Sequence, residues 1–183
     1  MDWNLGQYVE PVEHYALLRH VAKRASGIAI EFGIGKGEST RIIAEHMPVI
    51  GFGSTEGLPE FWRDDPDGRF DAGEFAFPLP DISNAVLIDG LFEKTLPGYV
   101  FPDCIGLIHF DADLKSSTAT ALRYVGPLMR PGCVVVFDEW HGFSSCGDHE
   151  QAAWREWLDD HPLRWKVLGH SHQAWAIQIE ENR

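Results

Sequence analysis

Ile28-Ala29-Ile30-Glu31-Phe32-Gly33-Ile34-Gly35-Lys36-Gly37-Glu38-Ser39 is the stretch from which the fold is read. Residues 28–32 form a short, mostly apolar run closed by Gly33, which by length and flanks is a buried strand. Residues 39–46 carry Ile42, Ile43 and Ala44 without a breaker and read as the helix that follows. Strand, glycine turn and helix in that order are the opening unit of a parallel α/β sheet.

The same alternation extends outward. Residues 12–25 place Val12, Tyr15, Ala16, Leu18, Val21 and Ala22 near helical spacing, and Gly27 ends that helix. Residues 47–52 predict a second strand. Residues 53–83 break the pattern with Pro59, Pro66, Pro78 and Pro80 among dense acids, and read as a surface excursion with a helical turn at 59–63. Order then returns: strand 85–88, short helix 91–96, strand 104–110, helix 116–129, strand 133–137 and helix 149–159. Strands 165–168 and 173–179, separated by residues 169–172, close the chain. With no repeat or linker, residues 1–183 are one domain. The expected fold is a doubly wound, Rossmann-like, mostly parallel sheet with helices on both faces and an antiparallel C-terminal strand pair.

Composition narrows the function. Fifteen Lys and Arg against twenty-eight Asp and Glu give 15 − 28 = −13, which argues against a surface that tracks nucleic-acid phosphates. The hydrophobic fraction of 44% supports a sizeable core, and 23% charged with 12% aromatic residues excludes a disordered chain. No run approaches the roughly 18 apolar residues of a membrane span, and the start of the chain is not a signal peptide. Cys104, Cys133 and Cys146 share no CxxC spacing and fit free thiols in a reducing cytoplasm.

In such a sheet, ligands bind beyond the carboxyl ends of the strands. Gly33, Gly35 and Gly37 let the chain turn sharply and let a ligand approach the backbone. Their spacing is neither the GxGxxG dinucleotide fingerprint nor a phosphate loop ending in Gly-Lys-Ser/Thr. Glu31 at the strand end is a poor neighbour for phosphate and a good one for an ammonium group, so a positively charged nucleoside ligand is expected. Two further strands end in His109-Phe110-Asp111-Ala112-Asp113 and Phe137-Asp138-Glu139-Trp140. Carboxylates so placed repel unless a hard divalent cation such as Mg²⁺ joins them. Asp113 is expected at the start of the helix beginning near Ser116. His109 reads as a core or supporting histidine, and His141 and His149 as solvated loop residues. Trp154, Trp157, Trp165 and Trp175 read as core, and Asp64, Asp65 and Asp67 as a solvated acidic loop.

Residues 31–37 resemble motif I of class I S-adenosylmethionine-dependent methyltransferases. More narrowly, the chain resembles the macrocin/mycinamicin O-methyltransferase family. The stretches that carry the likeness are residues 31–39, 49–52 with 56–60, 90–92 with 95–97, 109–118, and 131–132 with 137–140. The resemblance implies S-adenosylmethionine as cofactor, with Gly33, Gly35, Gly37 and Ser39 at its methionine end and Glu31 near its ammonium. Asp89 and Gly90 would border the adenine. Asp111, Asp138 and Glu139 would hold Mg²⁺, and Asp111 would take the proton of a small-molecule hydroxyl on a sugar or phenol. One departure stands out: Gly53 occupies the place of the family's ribose-binding acid, leaving Ser54 or Glu56 to substitute. A homo-oligomer follows by analogy. The residues also admit a metal-dependent glycosyl- or phosphotransferase built on the Asp111-Ala112-Asp113 pair, or a catalytically silent binding protein.

Overall fold

The computed structural model describes residues 3–10, 13–66 and 68–181. In chain order the elements are α1 (Ala16–Ala22), β1 (Ile28–Phe32), α2 (Glu38–Ala44), β2 (Val49–Gly53), β3 (Arg63–Asp65) and β4 (Gly68–Phe70). They continue with β5 (Ala85–Asp89), α3 (Phe92–Thr95), β6 (Ile105–Phe110), α4 (Lys115–Val125), β7 (Val134–Phe137), α5 (Glu150–Asp160), β8 (Arg164–Ser171) and β9 (Ala174–Glu180). Seven strands form one sheet in the order β5-β2-β1-β6-β7-β9-β8, while β3 and β4 pair separately. The first five of that order run parallel, and β9 lies antiparallel to both β7 and β8. This is the expected doubly wound sheet with its antiparallel C-terminal pair.

The chain leaves β1 toward β2 and β5, then crosses to β6 and β7 on the other side. The crevice at the strand ends between β1 and β6 is therefore a topological switch point. Just beneath it, aromatic side chains in register form a ladder across the sheet. Phe32 stacks on Phe52 and on Phe110, each at 5.5 Å, and Phe110 stacks on Phe137 at 5.0 Å. Phe137 continues the ladder to Trp175. All five are buried, so the floor of the site is rigid and dry. Gly33 fixes the switch point itself. Its φ is 99°, and a Cβ there would lie 1.6 Å from the Asp111 carbonyl oxygen, so only glycine lets the two strands end side by side.

Several expected boundaries move. The first helix covers only Ala16–Ala22, because Tyr15 stands before it in the left-handed region with φ 65°; Val12 lies outside the described residues. No helical turn forms at residues 59–63; Arg63 instead begins the β3–β4 hairpin. The helix expected over 116–129 stops at Val125, and Pro127, which cannot donate to a helix, sits in the 3₁₀ turn Gly126–Leu128. The last hairpin turns on His172 and Gln173 alone, with His172 left-handed at φ 52°, so residues 169–171 belong to β8.

Candidate active site

A cavity of about 610 Å³ opens over the switch point, a volume suited to a small-molecule site. One wall is the glycine turn, with Gly33 and Gly35. The ends of β2 and β5 add Gly53, Ser54 and Gly90, and the opposite wall carries Asp111, Asp113 and Glu139. Gly35 has φ 49°, and a Cβ built there meets nothing within 4 Å, so its vacant side faces open space.

Among the candidate residues, the structure brings Gly33, Gly35, Ser54, Gly90, Asp111 and Glu139 to this cavity. Glu31 is not on its wall. Its side chain is fully buried, accepting from the Thr40 hydroxyl and from His109 Nδ1–H at 3.0 Å. A carboxylate so enclosed braces the strand ends from behind and is not exposed to the cavity where a ligand ammonium is expected. Gly37 starts α2 in the left-handed region, where a Cβ would come within 2.7 Å of Ile82 and Pro80. Ser39 is buried in that helix. Asp89 accepts from Thr55 N at 2.9 Å and from Thr55 Oγ1 at 3.0 Å, fastening the loop after β2 to the end of β5.

The acidic cluster is larger than expected and differently divided. Donor atoms of Asp111, Asp113 and Glu139 lie within 4.8 Å of one another, as do those of His14, Asp138 and Glu139. Glu139 is common to both, so Asp111, Asp138 and Glu139 do not stand as one triad. Asp113 does not cap a helix: Leu114 is the N-cap of α4 and makes no side-chain cap bond. Asp113 is held at φ 60°, a conformation costly for a non-glycine residue. Asp138 is turned to two histidines, with His14 Nε2–H donating to Oδ2 at 2.6 Å and His109 Nε2 standing 3.6 Å from Oδ1.

Electrostatics follow this arrangement. Burial, then the Asp138 charge, pushes Asp111 well above the usual carboxylate range, and the same two causes push Asp113 up to about 7. Burial and Asp138 likewise raise Glu139 and Glu150. Burial also opposes ionisation of Asp138, but His109 and His14 overcome it and hold that carboxyl low. Burial disfavours charge on His109, yet Asp138 and Glu31 outweigh it and raise its pKa. The donor set, carboxylates with one imidazole, fits a divalent cation. Glu139 Oε2 is buried without a hydrogen-bond partner among the described residues, and a cation would satisfy it.

Three contributors escape the sequence reading. His14 lies 124 positions from Asp138, and no local spacing announces it. Glu150 is fully buried, and its Oε2 accepts from Glu139 N at 3.1 Å. Arg63 lies between Trp62 and Phe143, 4.2 and 4.3 Å from their ring centres, and lines the cavity. Its Nη1 bonds Asp65 at 2.9 Å, and the Asp65 side chain is only 3% exposed, so Asp65 is not solvated. Asp64 is exposed and pairs with Arg69; Asp67 lies outside the described residues. His109 is the buried supporting histidine expected, and Trp154 and Trp175 are core.

A parallel sheet with a triple-glycine turn and acidic strand ends around one switch-point cavity is the arrangement that the motif I resemblance implies for a class I S-adenosylmethionine-dependent methyltransferase. The chain belongs to the methyltransferase domain family, whose model matches residues 30–140. The glycosyl- and phosphotransferase readings fall with that membership. The fold is similar to that of CalS11, a calicheamicin methyltransferase, at TM-score 0.69 and 23% identity over 88% of this chain and 77% of that one. It is also similar to the O-methyltransferase NovP (TM-score 0.63, 18% identity, 90% and 76% covered). A third similar structure is an O-methyltransferase from Bacillus cereus in complex with SAH (0.57, 16%, 90% and 79%). Among curated proteins, no sequence matches significantly. No helix among the described residues is long and apolar enough to cross a membrane.

Proposed function

We propose that this methyltransferase acts on a hydroxyl oxygen of a small molecule, a sugar or a phenol, in the cytoplasm and with a divalent cation at its acidic cluster. The observation that carries the reading is one cavity with the bare glycine turn at Gly35 on one wall and Asp111 and Glu139 on the other. A donor lying on the glycine backbone and an acceptor beside the carboxylates would share that space. The finer kinship with the macrocin/mycinamicin enzymes, and a divalent cation, Mg²⁺ or another, belongs to the same proposal. It is supported by the order of the five matching stretches and by the oxygen-rich donor set.

When bound, S-adenosylmethionine supplies an electrophilic methyl group and the cation lowers the acceptor hydroxyl's pKa. The chain's own residues do the rest. Gly33 and Gly35 leave the backbone open to the donor, and Ser54 offers a hydroxyl where Gly53 provides no acid. Glu139, with Asp111 and Asp113, gathers negative charge for a cation. The Asp111 carboxylate takes the hydroxyl proton; its raised pKa, caused by burial and then by Asp138, brings it nearer the operating pH that general-base work favours. Aromatic Trp62, Phe70 and Phe75 line the same cavity and exclude water from it.

Transfer of label from methyl-labelled S-adenosylmethionine to a panel of sugar and phenol acceptors tests the reading. Asp111→Asn should lower kcat by about a hundredfold or more, while leaving the affinity for S-adenosylhomocysteine within about threefold, about 0.7 kcal/mol. An undiminished rate in that variant would remove Asp111 from proton transfer.

A further inference from the structure

The N-terminal segment is fastened along the antiparallel side of the sheet before it reaches the site. Trp175 Nε1–H donates to the Asn4 carbonyl at 3.1 Å, His170 N to the Gln7 carbonyl at 3.0 Å, and Val9 N to the His170 carbonyl at 2.8 Å. Trp3 meets Trp140 edge-on at 5.0 Å. A few residues on, the His14 ring stacks on Tyr15 at 3.8 Å, half-exposed and on the cavity wall. Its Nε2 lies 2.6 Å from Asp138 Oδ2, and one donor atom each of His14, Asp138 and Glu139 lies within 4.8 Å of the others. Asp138 is 2% exposed and Glu139 8%. Glu139 keeps one buried oxygen, Oε2, without a hydrogen-bond partner among the described residues, while Asp138 Oδ1 faces His109 Nε2 at 3.6 Å. A buried charged acceptor left unpaired is costly, and a cation among these three side chains would satisfy Glu139 Oε2.

We infer that His14, on giving up the proton it shares with Asp138, is a metal ligand, so that the cation site of this methyltransferase is a mixed nitrogen–oxygen centre of His14, Asp138 and Glu139 that favours a first-row transition ion over Mg²⁺. The inference rests on the metal-assisted reading above and specifies its ion. A hard ion such as Mg²⁺ takes oxygen ligands and keeps its waters, whereas an imidazole nitrogen suits the transition series and affinity rises along it from Mn²⁺. The neighbouring oxygens of Asp111 and Asp113 meet the same centre through Glu139.

The test is metal binding to the full chain, with no turnover involved. Calorimetry with Mg²⁺, Mn²⁺ and Co²⁺ gives affinities, and electron spin-echo spectroscopy of the Mn²⁺-loaded protein reports any coordinated ¹⁴N. Wild type should bind Mn²⁺ and Co²⁺ about tenfold or more tighter than Mg²⁺ and show imidazole ¹⁴N modulation. His14→Ala should lose the modulation and most of the preference, with Mg²⁺ affinity changed about threefold or less. His14→Asn, which offers an amide oxygen, should also lose the modulation, and unchanged melting of both variants would confirm that they fold. If no divalent ion binds wild type, the metal-assisted reading fails, and this inference with it. If Mn²⁺ binds wild type without ¹⁴N modulation, or the modulation survives in His14→Ala, the metal reading stands and His14 is overturned as a ligand.

Discussion

Gly53 is where one residue carries the most consequence. It ends β2 on the cavity wall, where the resembling family carries an acid. A Cβ at Gly53 would lie 3.2 Å from three atoms of the Ile34 side chain, so Ile34 occupies the room an acid would need. Restoring the acid therefore requires Ile34 to yield. Gly53→Asp combined with Ile34→Ala should tighten S-adenosylhomocysteine binding about tenfold, roughly one hydrogen bond to a charged acceptor at 1.5–3 kcal/mol. Gly53→Asp alone should gain less. A double variant no tighter than wild type, measured by calorimetry, would show that residue 53 does not face the ribose. The replacement itself was legible in the sequence; the crowding by Ile34 was not, because it arises only when the glycine turn folds over β2. Asp113 was misread for a similar reason. An acid before a helix is an ordinary cap, and only the backbone at φ 60° turns it to Asp111 and Glu139.

At the scale of elements, the loops after β2 and β5 shape the cofactor side of the cavity, and Asp89 joins them through its two bonds to Thr55. Asp89→Ala should cost about 0.5–1.5 kcal/mol per lost bond at most, less where water replaces it. It should weaken S-adenosylhomocysteine binding by freeing the loop that carries Ser54. Thermal melting and a cofactor titration on the same variant check this; an unchanged affinity would make the clamp purely structural. The sheet strands were readable because each is an apolar run of ordinary length between glycines or turns. The β3–β4 hairpin was not, since Arg63-Asp64-Asp65 shows no apolar alternation. The ring stacking of Trp62, Phe70 and Phe143 around the Arg63 guanidinium accompanies it instead. The N-terminal segment was equally silent, its docking set by contacts with residues more than 130 positions away.

For the whole molecule, the buried acids Glu139 and Glu150 and the partly buried Asp111 and Asp113 link stability to pH. Asp111, Asp113, Glu139 and Glu150 have raised carboxyl pKa values, burial being the leading cause. The folded state thus binds more protons than the unfolded one, and the stability they contribute is present below the unfolded value near 4. It is lost as pH rises, for Asp113 through about 7. His14 and His109, both raised by their carboxylate partners, act in the same direction above about 6.5. Asp138, held low by its histidines, opposes only at acid pH. In chelator, the melting temperature should therefore fall between about pH 5 and pH 8, and Asp113→Asn should flatten the fall. A melting temperature that rises over that range would contradict the burial of these acids.

The claim on which the rest depends is that the glycine turn holds the adenosyl cofactor in the switch-point cavity. Calorimetric titration of S-adenosylhomocysteine into wild type and Gly35→Ala tests it most directly. A methyl at Gly35 enters open space and costs the fold only the strain of a left-handed residue, about 1–2 kcal/mol. Wild type should bind saturably at one site, and a folded Gly35→Ala should lose about tenfold or more in affinity. Equal affinity in the two proteins, or none in either, would contradict the claim.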